Sequence, residues 1–290
     1  MLSLVQDRTS VRVLGTDSPI ALRLRPVPEP GSRDPLRGKE VWRTVTDATV
    51  LAGPRSPAGA VRLLDQLRCP AMTRMRQRLL AAAHDAPADH VATAAMLGTL
   101  LRWPRKARAA LVDDVADAVE AAFTGHRAAA RPEVSRALGW VLALALSYPG
   151  EPLALAPILL RTRRLPAGSS FILPAGWPFM RLAGAAIGIG TDQEELLEIP
   201  LGRDHGDVSD LVGALERQPA RAGLPHLLPA GPGDVDRAPH GALHRAFDLA
   251  RHLCAAHPQL TGSGEIIDLR RRGSRRSAAV RRGAARRGAG

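Results

Sequence analysis

A chain of 290 residues is long enough to bury a sizeable core, but only 3% of it is aromatic, so that core must be built from Leu, Val and Ala. The formal charge of +12 suggests a polyanion partner until it is divided: nine arginines and no acid fall in residues 269–290, and the rest carries only +3. Two cysteines, Cys69 and Cys254, exclude a disulfide framework, and no run of about 18 apolar residues provides a membrane span.

Asp7 and Arg8 interrupt the N-terminus where a secretory leader needs its apolar stretch, so a cytoplasmic setting is expected. Residues 3–25 alternate in strand fashion, with Val11 and Val13, then Ile20, Leu22 and Leu24. Arg23 and Arg25 take the other parity. The turn-like Gly15–Pro19 between the two runs predicts a hairpin. Residues 26–38 are rich in proline and glycine and read as a loop, and 41–51 give a third strand.

From Pro57 the period becomes helical. Ala60, Val61, Leu64 and Leu67 form one stripe, and Met72, Met75, Leu79 and Leu80 the next. A helix capped by Asp89 follows through Leu101, and then one over 105–123 with Leu111, Val115, Ala118, Val119 and Ala122 on one face. Pro132–Tyr148 is apolar nearly all round, with Pro132 and Glu133 in its first turn and Pro149-Gly150 ending it; it predicts a central helix buried on most sides. Leu153–Leu160, broken by Pro157, comes next.

Beyond Arg164 the period returns to two. Residues 170–173 form a short strand, and 185–190 with 196–201 predict a second hairpin. Residues 202–239 are rich in Gly, Pro and Asp, with a short helix at 208–216, and a last helix spans about 240–256.

Four features bear on function. Arg270, Arg271, Arg272, Arg275, Arg276, Arg281, Arg282, Arg286 and Arg287 sit among Gly, Ala and Ser that cannot support a core, which predicts a disordered tail. Such a tail neutralises phosphates without reading sequence, or attracts an acidic protein; a merely solubilising tail in an arginine-biased proteome is the plain alternative. Arg105 and Lys106, with Arg102 and Arg108 about Trp103, form a second basic cluster where the helix dipole prefers acids. His240, His244 and Asp248 follow at i, i+4, and with His205 could ligate a transition metal, although they also form the polar side of an amphipathic helix. Trp177, Phe179 and Met180 crowd a proline-punctuated segment that either docks a partner or plugs the core.

No nucleotide-binding loop, zinc-protease pattern or activated cysteine is present, so no cofactor is expected. The sequence therefore reads as α+β: a mainly helical central block flanked by short antiparallel β elements, with a disordered basic tail. The expected divisions are 1–56, 57–163, 164–260 and 261–290. The expected function is a non-enzymatic accessory or regulatory protein touching nucleic acid, or another polyanion, through its tail. A metal-dependent hydrolase using the His/Asp row and an interaction subunit docking through Trp177 are the alternatives.

Overall fold

The computed structural model describes residues 9–16, 18–27, 39–85, 90–128, 131–191, 196–203, 207–216, 226–228, 266–268 and 280–281. Its architecture is α+β, two antiparallel sheets face to face with a helical layer against one of them.

The strands before the helices are β1 (Thr9–Leu14), β2 (Ala21–Leu24), β3 (Lys39–Thr44) and β4 (Ala48–Pro54). Those after them are β5 (Leu160–Leu165), β6 (Ser170–Pro174), β7 (Phe179–Ala183), β8 (Ala186–Thr191), β9 (Leu197–Pro200), β10 (His226–Leu228), β11 (Ile266–Asp268) and β12 (Val280–Arg281). The larger sheet runs β10-β6-β3-β8-β1-β11-β12 and the smaller β5-β4-β7-β2-β9. Successive strands from β1 to β10 mostly change sheet, and strands from the two ends of the chain pair with each other across the helical block.

That alternation overturns both expected hairpins. β1 pairs with β8 and β11, whereas β2 pairs with β7 and β9, so the Gly15–Pro19 turn carries the chain between sheets. β8 and β9 likewise belong to different sheets, and the single strand expected at 41–51 is two strands, β3 and β4, also in different sheets. Period two reports which face a residue takes and says nothing of which strand lies alongside.

Between β4 and β5 lie α1 (Pro57–Leu67), α2 (Thr73–Asp85), α3 (Val91–Leu101), α4 (Arg105–Thr124), α5 (Pro132–Ser147) and α6 (Ala156–Leu159), and α7 (Ser209–Glu216) follows β9. Ser56 caps α1 by accepting from the Gly59 amide, and the expected stripe Ala60, Val61, Leu64, Leu67 is buried. α4 buries Leu111, Val115, Val119 and Ala122 and exposes Asp113, Asp114, Asp117 and Glu120. Asp89, the expected cap of α3, lies outside the described residues.

The helical core packs on the smaller sheet through Leu22, Leu24, Leu51, Met180 and Ile199. α5 is not its central rod: Leu146 is 70% exposed. Two other segments hold the centre. α3 buries Ala94, Met96, Leu97, Leu100 and Leu101, and every residue from Glu151 to Leu160 is buried. Glu151 holds that run at its start, accepting from the Leu153 amide at 2.9 Å and the Gly202 amide at 3.3 Å.

A second core fills the sandwich with Leu14, Trp42, Val50, Phe171, Trp177 and Phe179. Trp42 stacks on Phe179 at 4.9 Å between ring centroids. Trp177 lies against Gly53, whose φ of +71° and lack of a side chain make room; a Cβ there would fall 1.8 Å from the indole. At 1% exposure Trp177 has no surface to offer a partner, which removes it as a docking residue.

Within the expected tail, β11 and β12 pair with each other, and β11 extends the larger sheet beside β1. The other tail residues and the expected helix at 240–256 lie outside the described residues.

Candidate functional site

The interior of the sandwich carries buried arginines: Arg181 of β7 donates to the Gly184 and Ser18 carbonyls, and a group that includes carboxylates gathers about Arg23 and Arg25. In β2 the apolar residues Leu22 and Leu24 face the helices, so the intervening parity, Arg23 and then Arg25, points between the sheets, and both are almost wholly buried. β3 contributes Glu40 and Trp42 from the opposite sheet, β1 contributes Arg12, and β9 contributes Glu198.

Each carboxylate is claimed. Arg25 Nη2 donates to Glu40 Oε1 at 2.8 Å, Trp42 Nε1 donates to Glu40 Oε2 at 3.1 Å, and Arg12 Nη1 stands 3.5 Å from Glu40 Oε1. Arg23 grips Glu198 with two hydrogen bonds, Nε to Oε2 at 3.2 Å and Nη2 to Oε1 at 2.7 Å. Glu198 reaches solvent, its side chain about a third exposed. Gly188 sits between Arg12 and Trp42 in register, and a Cβ there would come within 2.8 Å of the indole.

Three guanidinium groups against two carboxylates leave one positive charge in this group. Burial lowers the Arg12 pKa from its ordinary value, with Glu40 and Glu198 opposing and Arg23 and Arg25 assisting. Arg23 Nη1 is buried without a hydrogen-bond partner. A buried N–H with no acceptor is costly, and an oxygen-rich anion would supply one. The arrangement is suited to holding negative charge.

It is not suited to zinc. Zinc is held by imidazole, thiolate or carboxylate groups with free lone pairs. Among the described residues, the carboxylates of the centre are already engaged by arginine and indole donors. Among the described residues no group of three His, Cys, Asp or Glu side chains converges anywhere. His205, His240, His244 and Asp248 lie outside the described residues.

The second expected site has a different explanation. Arg105 and Lys106 are exposed in the first turn of α4. Their neighbour Arg108 turns back on α3, donating to Trp103 O at 2.9 Å and Leu101 O at 3.1 Å, and Arg102 pairs with Glu216 of α7 at 2.8 Å. The basic residues thus gather where α3 ends and its carbonyls need donors, which offsets their poor placement for α4. Of the tail arginines, Arg281 lies in β12, and the others (Arg270, Arg271, Arg272, Arg275, Arg276, Arg282, Arg286, Arg287) lie outside the described residues.

Arg12, Arg23, Arg25 and Glu40 were missed by the sequence reading. The alternation of Leu22 and Leu24 with Arg23 and Arg25 was visible, but outward-facing arginines give the same pattern.

No family model matches this sequence, and no curated protein matches it. Its fold is similar to that of mannose 6-phosphate isomerase. The Salmonella typhimurium enzyme bound to its substrate (f6p) and zinc is 16% identical with a TM-score of 0.53, over 73% of this chain and 55% of that one. Its apo form gives 16%, 0.51, 71% and 54%, and a zinc-bound holo structure of mannose 6-phosphate isomerase gives 16%, 0.51, 71% and 53%. The chain thus spans about half the length of the structures it matches. At this identity the likeness establishes the fold. It corrects the expectation of a non-enzymatic regulator that contacts nucleic acid through Arg105, Lys106 and the tail, because the scaffold is one on which a metal-dependent sugar-phosphate enzyme is built. Among the described residues no helix is long and apolar enough to cross a membrane.

Proposed function

We propose that the protein recognises a small, anionic, hydroxyl-rich molecule of the sugar-phosphate class at the group about Arg23 and Arg25 inside its sandwich. The observation that carries this reading is the buried surplus of arginine there, with Arg23 Nη1 lacking an acceptor, in a fold similar to that of mannose 6-phosphate isomerase. Guanidinium groups in a low-dielectric setting favour phosphate and carboxylate oxygens. A cytoplasmic setting belongs to the same reading, in line with a chain that has too few cysteines for a disulfide framework.

Titration calorimetry with mannose 6-phosphate, fructose 6-phosphate and unphosphorylated mannose tests it. Binding of the phosphorylated sugars alone is expected. Arg23→Met should weaken it at least about tenfold, the loss of one charge-assisted contact. Glu198→Gln should strengthen it by freeing Arg23. If neither sugar phosphate binds the wild-type protein, the reading is wrong.

A second reading follows from the likeness to zinc-bound structures: metal-dependent isomerisation, with ligands drawn from His205, His240, His244 and Asp248. The matched structures are isomerases, which supports isomerisation over the hydrolysis that the sequence offers as an alternative. Elemental analysis of untagged protein and an assay for interconversion of the two hexose phosphates decide it. A stoichiometric metal lost in His244→Ala would support this reading, and a metal-free protein without turnover would remove it.

A further inference from the structure

A second arginine cluster lies on the other side of the smaller sheet, in a cavity that the sandwich centre does not share. β4 ends at Pro54, and Arg55 and Ser56 lead directly into α1. The edge strand β5 runs alongside, bringing Arg161, Thr162 and Arg163 to the same place, and the first turns of α5 add Glu133 and Arg136. With Gly59 and Arg62 of α1 these residues line a cavity of about 440 Å³, a size that suits a small metabolite or a phosphate group.

The charges in it are unbalanced. Arg55, Arg62, Arg136, Arg161 and Arg163 face a single carboxylate, Glu133. Arg55 is nearly fully buried and fixed: Nη1 pairs with Glu133, Nε donates to Pro157 O at 3.3 Å, and Nη2 reaches Thr162 Oγ1 at 3.5 Å. Arg161 is also held, Nε donating to Pro54 O at 3.1 Å, with Nη2 3.4 Å from His90 Nε2. Arg62 and Arg163 are exposed and Arg136 half-buried.

Burial lowers the Arg55 pKa, with Glu133 opposing and Arg161 and Arg62 assisting. Burial lowers that of Arg161 too, with Arg163 assisting and Glu133 opposing. Both depressions have the sign expected where a group would gain from an added anion. Two arginines are therefore preset by main-chain carbonyls, while three more surround the opening. Preset donors cost little ordering entropy when a ligand arrives.

We propose that this cavity binds a phosphate group, held by Arg62, Arg136 and Arg163 against the fixed pair Arg55 and Arg161. The site stands apart from the ligand proposed for the sandwich centre, since none of its residues contributes there.

The test is titration of the full chain with inorganic phosphate and pyrophosphate at low ionic strength, with chloride as the control anion. Saturable binding is expected for both, tighter for pyrophosphate, because the added charge and oxygens can engage more of the five arginines. The double variant Arg62→Ala/Arg163→Ala alters only exposed side chains, so it should fold normally and weaken pyrophosphate at least tenfold. Arg164→Ala removes one charge, half that of the double variant, from the strand that carries Arg163 without touching the cavity, and should leave binding within twofold. Arg23→Met, at the sandwich centre, should leave pyrophosphate binding unchanged, so failure of one site is told apart from failure of the other. Absence of saturable binding, or equal losses in Arg164→Ala and the double variant, would overturn the proposal. Pyrophosphate binding without phosphate binding would narrow the ligand to diphosphates and overturn the monophosphate form of it.

Discussion

Inside the sandwich, about Arg23 and Arg25, three guanidinium groups meet two carboxylates, whereas in the cavity beside α1 five meet one. The two clusters use the same cation and differ in where the counter-charge comes from. Between the sheets, Glu40 and Glu198 lie on strands β3 and β9 and are brought to the arginines by the fold itself. Beside α1, the one acid among the described residues is an exposed partner, and the remaining positive charge is left to solvent or to a ligand. The sandwich cluster is matched from within but for one guanidinium group, so it combines cohesion with a single receptive charge, whereas the cluster beside α1 is unmatched over most of its charge.

The largest test of that contrast is Glu40→Ala. It strips Arg25 and Arg12 of the carboxylate they share and leaves buried cations uncompensated, a change that costs about 3–5 kcal/mol in other proteins. Urea denaturation should show a loss of this size. Glu40→Gln keeps one accepting oxygen, for either Arg25 or Trp42 Nε1 but not both, and should lose less than Glu40→Ala. A loss below about 1 kcal/mol in Glu40→Ala would place the arginines in water and dissolve the distinction.

The counterpart beside α1 is Glu133→Ala. The Glu133 side chain is 68% exposed, and Arg55 retains the Pro157 carbonyl and Thr162 hydroxyl, so stability should fall by no more than about 1 kcal/mol. Anion binding in the cavity should tighten, since the only competing carboxylate among the described residues is gone. Loss of several kcal/mol without tighter binding would make this cluster cohesive as well.

The sequence disclosed the two regions unequally. Helix α1 and the amphipathic α4 were legible because a one-sided stripe has one physical reading: Leu64 and Val115 face the core, while Asp113 and Asp117 face water. The Pro132–Tyr148 run is apolar without being enclosed, because apolar side chains also occupy protein surfaces; Leu146 stays exposed, and the enclosed segment is the shorter, proline-broken 151–160. For strands, alternation gave the faces of β2 but not its neighbours, so Arg23 and Arg25 could not be recognised as facing Glu40 and Glu198 of distant strands. The cavity was illegible for the same reason. Arg55, Arg136 and Arg163 stand on three elements far apart in the chain, and in an arginine-rich composition none is conspicuous alone. What did stand out, the run of arginines in 269–290, is conspicuous because it is local.

The smallest expected effect separates the clusters by salt. Screening shortens the reach of exposed charges from about 10 Å at 0.1 M to about 3 Å at 1 M ionic strength, but acts far less on pairs excluded from water. Raising sodium chloride from about 0.1 M to about 1 M should therefore weaken pyrophosphate binding beside α1 several-fold, because Arg62 and Arg163 are exposed. Over the same range the stability difference between wild type and Glu40→Ala should move by less than about 0.5 kcal/mol, the scatter of an ordinary surface effect. Arg25 is 4% exposed and Glu40 6%, so counter-ions have no approach to the bond between them. Should the cost of Glu40→Ala shrink with salt as fast as the binding does, the Arg25–Glu40 pair would be open to counter-ions and would be screened like the exposed arginines beside α1.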